Sequence, residues 1–241
     1  MQKFITSFDK KNNYIYIGDL NVVNKIKNVL RAKSGYEFQI HKPFFYGELS
    51  NINVYTVILY EIKKDEIIAK ITFCQKINIL QKKSGYLVPI LNNFDKMDLI
   101  VQKLTEIGIE NIIFWKSSNS QIKNISDKKF EKFKKISIDA VQQSGMFALP
   151  KIKKIDNLLD FLEDISLCIF DFGGIDLINI EKSNFDKKNL WGICGPEGGF
   201  SNYDYSILEK FNYKKISLGN SVLRAETGII VSSWILKNFI Y

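Results

Sequence analysis

Arginine is nearly absent from this chain of 241 residues. Among 34 basic residues only Arg31 and Arg224 are arginines, and the rest are lysines. Lysine serves well enough as a solvated charge, whereas bidentate or stacked recognition needs the guanidinium. Each arginine therefore marks a position to explain. Histidine is scarcer still. With His41 alone, His-rich metal sites and Ser–His–Asp chemistry have little support, no metal ligand is assigned, and His41 reads as a partly exposed strand residue. The three cysteines, Cys74, Cys168 and Cys194, are odd in number and form no CxxC pair. That excludes a zinc ribbon and a disulfide framework and fits reduced thiols packed as small core residues. The phosphate-loop pattern GxxxxGK[ST] and the dinucleotide pattern GxGxxG are missing, which argues against ATPase and dehydrogenase readings. No apolar run approaches the ~20 residues of a membrane helix. The first residues lack the apolar stretch of a signal peptide. A soluble cytoplasmic protein is expected.

What is present is ordinary for a globular chain: 46% hydrophobic and 25% charged residues, enough to bury a core unaided. The net charge of +8 and pI near 9.1 point to an anionic partner, nucleic acid or a membrane surface. A compositional bias toward solvated lysine is the equal alternative.

The chain reads as two domains. Residues 1–76 are mostly β, with strands at 14–18, 37–42, 54–62 and 67–73, a helix capped by Asp19 running to Leu30, and a turn at Lys33-Ser34-Gly35. A connector spans roughly 75–85. Residues 77–241 alternate strands and helices. Strands fall at 87–91, 111–115, 167–171, 190–194 and 215–218. Helices fall at 96–107, capped by Gly108, and at 126–143, 201–211 and 226–239. Such alternation predicts an α/β fold with a mostly parallel sheet. Lysines of the segment 123–135, Lys123 among them, read as a solvated helix face or as phosphate contacts.

In open α/β sheets ligands bind beyond the carboxyl ends of strands. Three predicted strand ends carry glycine: Phe172-Gly173-Gly174, Gly195-Pro196-Glu197-Gly198-Gly199, and Leu218-Gly219-Asn220. Glycine lets backbone approach a ligand closely, although any one such loop is equally a plain tight turn. After the third loop, Ser221 to Gly228 places Arg224, Glu226 and Thr227 at a helix start. That trio is either a surface Arg–Glu pair or a reactive cluster, and the scarcity of arginine favours the second.

GPEGGFS at 195–201 with LGNSVLRAETG at 218–228 resembles the paired signature of the RsmE family, ribosomal RNA methyltransferases of the SPOUT superfamily. KMDLIVQKLTEIG at 96–108, VQQSGMFALP at 141–150 and VLRAKSGYEF at 29–38 resemble further family segments, in order along nearly the whole chain. The resemblance implies a PUA-like β-barrel RNA-binding domain over 1–76 and a trefoil-knotted SPOUT methyltransferase domain over 77–241. It implies a homodimer with no membrane partner, acting on 16S ribosomal RNA or the small ribosomal subunit. The implied reaction moves the methyl of S-adenosyl-L-methionine to N3 of a uridine. Phe172, Gly173, Gly195, Pro196, Glu197, Gly198, Leu218, Gly219, Asn220, Val222 and Leu223 are then expected around the cofactor. Arg224 is expected to orient the base and stabilise charge, Glu226 to act as base or Arg-positioning partner, and Thr227 to donate a supporting hydrogen bond. Arg31 and Lys33 are the expected RNA contacts, with a pair to an acidic neighbour as the alternative for Arg31. The chain departs from the family pattern where Asn119 and Met146 stand in place of arginines, and where Ala225 replaces a hydroxyl residue. Two other readings stay open: a SPOUT enzyme with a different target, such as ribose 2′-O in rRNA or tRNA, and a non-catalytic RNA-binding ribosome-assembly protein.

Overall fold

The computed structural model describes all residues except 48–50, 80–83, 121, 123, 162–164, 182–184, 186–188 and 241. Lys123 and part of the expected connector, residues 80–83, thus lie outside the described residues. The chain divides into two compact units. The first comprises Met1–Gln81 and Val141–Leu149, the second Lys82–Ala140 and Pro150–Tyr241. A single cut at 76/77 does not anticipate the return of residues 141–149 to the first unit.

The first unit is a six-stranded mixed sheet built from β1 (Gln2–Ile5), β2 (Asp9–Lys11), β3 (Tyr14–Ile17), β4 (Glu37–His41), β5 (Asn51–Ile62) and β6 (Ile67–Asn78), in the order β1-β4-β5-β6-β3-β2. Only β1 and β4 run parallel; the other pairs are antiparallel. Strict alternation in β3 sends Ile15 and Ile17 into a core with Phe4, Phe38, Val57 and Leu59, the period-2 signature of a half-buried strand. β1 and β2 escape sequence reading because they are short and β2 is wholly exposed. Helix α1 (Leu20–Asn24) starts where Asp19 accepts hydrogen bonds from the Asn21 and Val22 N–H groups, and a π-helical turn, Lys25–Val29, continues it. That turn closes with the Ala32 N–H donating to Ile26 O at 3.0 Å. Arg31 stands at the closure with φ +48°, a left-handed conformation that costs a non-glycine residue about 1–2 kcal/mol.

His41 is fully buried, which corrects the expectation of a partly exposed residue. Its ring lies 6.0 Å from the Phe147 ring, and its Nδ1 is 2.8 Å from Lys42 O. Buried beside it, Lys3 donates to Gly145 O at 2.8 Å and Met146 O at 3.2 Å, with its ammonium 3.6 Å above the Phe147 ring. The QSG segment is therefore held through its backbone carbonyls, a bond indifferent to the methionine side chain at 146.

The second unit is a six-stranded, all-parallel sheet of β7 (Gly85–Pro89), β8 (Asn111–Trp115), β9 (Lys151–Ile155), β10 (Ser166–Asp176), β11 (Leu190–Cys194) and β12 (Asn212–Ser217), ordered β12-β10-β11-β7-β8-β9. The Lys-rich β9 was not expected. Strands β7, β8 and β11 are almost wholly buried, as parallel strands covered on both faces must be. One face packs on α2 (Phe94–Ile107), α3 (Asp127–Ser144) and α5 (Ala225–Ile235) through Met97, Leu104, Phe133 and Ile229. The other packs on α4 (Asn202–Leu208) through Ile207 and Leu208. Left-handed Gly108 closes α2 and a reciprocal Ser201–Asp204 capping box opens α4, as the sequence announces, while the Asn93 side chain, which caps the start of α2, was not anticipated. Lys129 and Lys132 of α3 clasp Asp98 of α2 at 2.7 and 2.6 Å, so they are structural partners rather than free cations. Among the described residues no helix is long and apolar enough to cross a membrane.

Candidate active site

Strand order brings the three glycine loops together. β12, β10 and β11 are neighbours, and being parallel they end on the same side. There they enclose a cavity of about 430 Å³, completed by the first turn of α5 and by Lys96 of α2. Of the expected cofactor residues, Phe172, Gly195, Pro196, Glu197, Leu218, Gly219, Val222 and Leu223 line it, as does Arg224. Gly173, Gly198, Asn220, Glu226 and Thr227 are not among its lining residues. Arg31 and Lys33 are exposed in the other unit.

The first loop departs from expectation. β10 does not stop at Asp171; pairing with β12 jumps from Phe170 to Ile175, both registered on Ile216, and residues 171–174 bulge out between them. Gly174 permits this, since a Cβ there would lie 2.6 Å from the Ile216 backbone. The bulge is pinned by Asp171. Its Oδ1 accepts from the Phe172 N–H at 2.8 Å, and its Oδ2 accepts from the Tyr205 hydroxyl and faces Lys215 Nζ at 3.5 Å. Burial, and next the Asp171 carboxylate, raise the Tyr205 pKa. Phe172 is thereby presented half-exposed at the cavity mouth with Val222 and Leu223, an apolar rim.

The second loop is held from two sides. Asn119 Nδ2 donates to Gly198 O and Gly199 O at 3.3 and 3.1 Å. Lys96 Nζ lies 3.1 Å from Glu197 Oε1 and 3.2 Å from Glu226 Oε2. The Lys96 pKa is raised, chiefly by its hydrogen bond to Glu197. Glu226 therefore pairs with Lys96 and not with Arg224, which corrects the Arg-positioning role. Sequence reading passed over Lys96 although it opens the KMDLIVQKL motif, because its partners lie far along the chain.

Arg224 is the residue before α5; its carbonyl accepts the Gly228 N–H at 2.8 Å. Its exposed guanidinium forms no hydrogen bond or ion pair with any described residue. Thr227 is exposed one turn on. Cys194 lines the cavity half-buried, and Cys168 is buried behind it. Burial pushes both thiols up to about 12, so neither supplies a thiolate nucleophile. Cys74 is exposed, against the expectation of three core thiols.

A model of the RNA methyltransferase domain matches residues 81–237. The chain is 28% identical over 238 residues to ribosomal RNA small subunit methyltransferase E of Mesomycoplasma hyopneumoniae, covering 95% of this chain and 96% of the relative. It is 28% identical over 202 residues to the protein of that name from Aquifex aeolicus, covering 83% and 88%. Among solved structures it superposes on ribosomal RNA small subunit methyltransferase E of Neisseria gonorrhoeae bound to S-adenosyl methionine, with TM-score 0.78 and 21% identity over 97% of this chain and 95% of that one. A methyltransferase of Legionella pneumophila in complex with the same cofactor gives 0.77 at 20% identity, covering 97% and 96%. The chain belongs to the RNA methyltransferase domain family.

Proposed function

We propose that this protein transfers the methyl of S-adenosylmethionine to N3 of a uridine in small-subunit ribosomal RNA. The observation that carries the reading is the single cavity onto which three adjacent parallel strands deliver their glycine loops. The cavity suits the cofactor: its rim of Phe172, Leu218, Val222 and Leu223 is apolar enough for an adenine, and the backbone of the 195–199 and 218–219 loops offers hydrogen-bonding groups for the ribose and the amino-acid end. When bound, the cofactor supplies an electrophilic methyl on a sulfonium.

The chain's own residues orient the acceptor. Uridine N3 is a poor nucleophile until it loses its proton. The Arg224 guanidinium, without a partner among the described residues, meets the uracil oxygens and stabilises the charge left there, and Glu226, fixed by Lys96, accepts the N3 proton. Thr227 donates a supporting hydrogen bond. Holding the two reactants in line contributes ~7–11 kcal/mol.

In the same reading the second unit is a trefoil-knotted SPOUT domain and the mixed sheet of the first a PUA-like RNA-binding module, with Arg31 and Lys33 as phosphate contacts. The protein acts in the cytoplasm as a homodimer. An apolar groove formed by Ile107, Ile230, Val231 and Trp234, with Trp234 55% exposed, is the surface proposed to be buried between copies.

Mass spectrometry of rRNA nucleosides from a strain lacking this gene tests the proposal. N3-methyluridine is expected to disappear and to return on complementation. Its persistence overturns the reading, and loss of a 2′-O-methyl nucleoside instead assigns a different target.

A further inference from the structure

The first sheet carries an open aromatic face that the core does not use. Alternation buries Ile15, Ile17, Val57, Leu59 and Ala69 on one side and sends Tyr14, Tyr16 and Lys70 to the other. Tyr14 is registered on Lys11 of β2 and on Lys70 of β6. Two irregularities in the β5–β6 pairing, at Leu59/Glu61 and at Thr56/Val57, re-aim neighbouring side chains, as bulges do. Tyr60 lies in the first, and Phe73 borders the second. They stand 58% and 59% exposed. The Tyr14 and Tyr60 rings touch edge-on at 5.5 Å, and Lys11 Nζ sits 5.5 Å over the Tyr16 ring. Farther along the same face, Ile52 and Val54 are covered by Phe44 and Ala148. The chain thus lids one part of this face and leaves the aromatic part open.

We propose that this open face is a stacking surface for single-stranded RNA, taking unpaired bases on Tyr14, Tyr16, Tyr60 and Phe73 and phosphates on Lys11 and Lys70. Rings interleaved with ammonium groups fit a polyanion that also displays flat π-faces, and every base has such a face. A duplex offers its phosphates but keeps its bases stacked inside, so the rings select single strands. The inference rests on the RNA-methylation reading and adds to it the region that grips sequence flanking the target. It is independent of the cavity, of Arg31 and of Lys33.

The test is fluorescence anisotropy of the full-length protein with labelled twelve-residue oligouridine and with a twelve-base-pair RNA duplex. Tyr60→Ala and Phe73→Ala are expected to weaken oligouridine binding about tenfold each, while Phe73→Tyr retains it and duplex binding changes little. Phe73→Ala should leave the salt dependence intact, whereas Lys70→Ala should lower its slope by roughly one unit. Circular dichroism melting of each variant confirms that the fold is kept. Unchanged oligouridine affinity in both alanine variants overturns the proposal. So does an equal loss on the duplex, or conversion of a wild-type oligomer to monomer by Phe73→Ala, which would make the face a contact between copies. A wild-type protein that binds neither RNA overturns the methylation reading itself, an outcome distinct from wild-type binding that the substitutions leave untouched.

Discussion

Lys96 joins two segments that both lie far along the chain from it: its ammonium lies within 3.2 Å of Glu226 at the start of α5 and within 3.1 Å of Glu197 in the 195–199 loop. Without it two carboxylates would face each other beside the cavity with no cation between them. The three side chains are partly exposed, so each pair contributes at most about 1 kcal/mol. Lys96→Ala is expected to raise the Kd for S-adenosylmethionine about fivefold by calorimetry, and Lys96→Arg to restore it. An alanine variant with wild-type affinity would show that the loop keeps its place unaided.

Asn119 holds the same loop from the opposite side, through two carbonyls. A neutral hydrogen bond is worth about 0.5–1.5 kcal/mol net. Asn119→Ala should therefore weaken cofactor binding several-fold while leaving affinity for RNA alone unaltered. An effect confined to RNA binding would place this residue on the substrate instead, as an arginine there would be.

What the sequence reveals and what it hides separate along one physical line. Local chemistry is legible: Gly108, Ser201 and Asp204 cap their helices as read, and two of the three glycine clusters, at 195–199 and 218–219, mark strand ends that meet at the cavity. Convergence is not local. That β10 lies between β12 and β11 follows from packing of the whole sheet, so neither Lys96 nor Asn119 could be paired with its loop in advance. The same holds for His41, which alternation placed on a strand but whose cover comes from Lys3 on the adjacent β1 and from Phe147, far along the chain.

His41 makes stability pH-dependent. Burial pushes its pKa down from 6.5 to about 4, with nearby Lys3 lowering it further and the Lys42 carbonyl opposing. The unfolded chain thus binds a proton below pH 6.5 that the folded chain refuses until about pH 4. Stability is complete above pH 6.5 and falls as pH drops through that window, by about 2 kcal/mol at pH 5. Urea unfolding followed by circular dichroism at pH 7.5 and pH 5 should show this loss in the wild type. His41→Phe should remove this component of it. Equal pH slopes in the two proteins would mean that the ring is protonated in place.

Arg224 offers a guanidinium with no partner among the described residues, so replacing it breaks no bond to them. Arg224→Ala is expected to keep its melting temperature and its affinity for S-adenosylmethionine and to lose methyl transfer by a factor of about 100 or more, in the range for removal of one oxyanion donor. Arg224→Lys should recover little, because a point charge cannot meet two oxygens in a plane. Full turnover in the alanine variant would remove Arg224 from the chemistry and leave its place on the cavity wall as packing.

Arg31 sets stability against binding. With φ at +48° it occupies a backbone position where glycine avoids the penalty of a Cβ. Arg31→Gly should therefore raise stability toward chemical denaturation by about 1 kcal/mol. The same substitution removes one phosphate contact under the proposed RNA role, so rRNA affinity at low salt should fall and the salt slope should decrease by roughly one unit. Arg31→Asn, which tolerates the conformation and lacks the charge, separates the two effects: it should bind as weakly as the glycine variant with part of its stability gain. A glycine variant that is more stable and binds RNA as well as the wild type would leave the second of the chain's two arginines without a function in recognition.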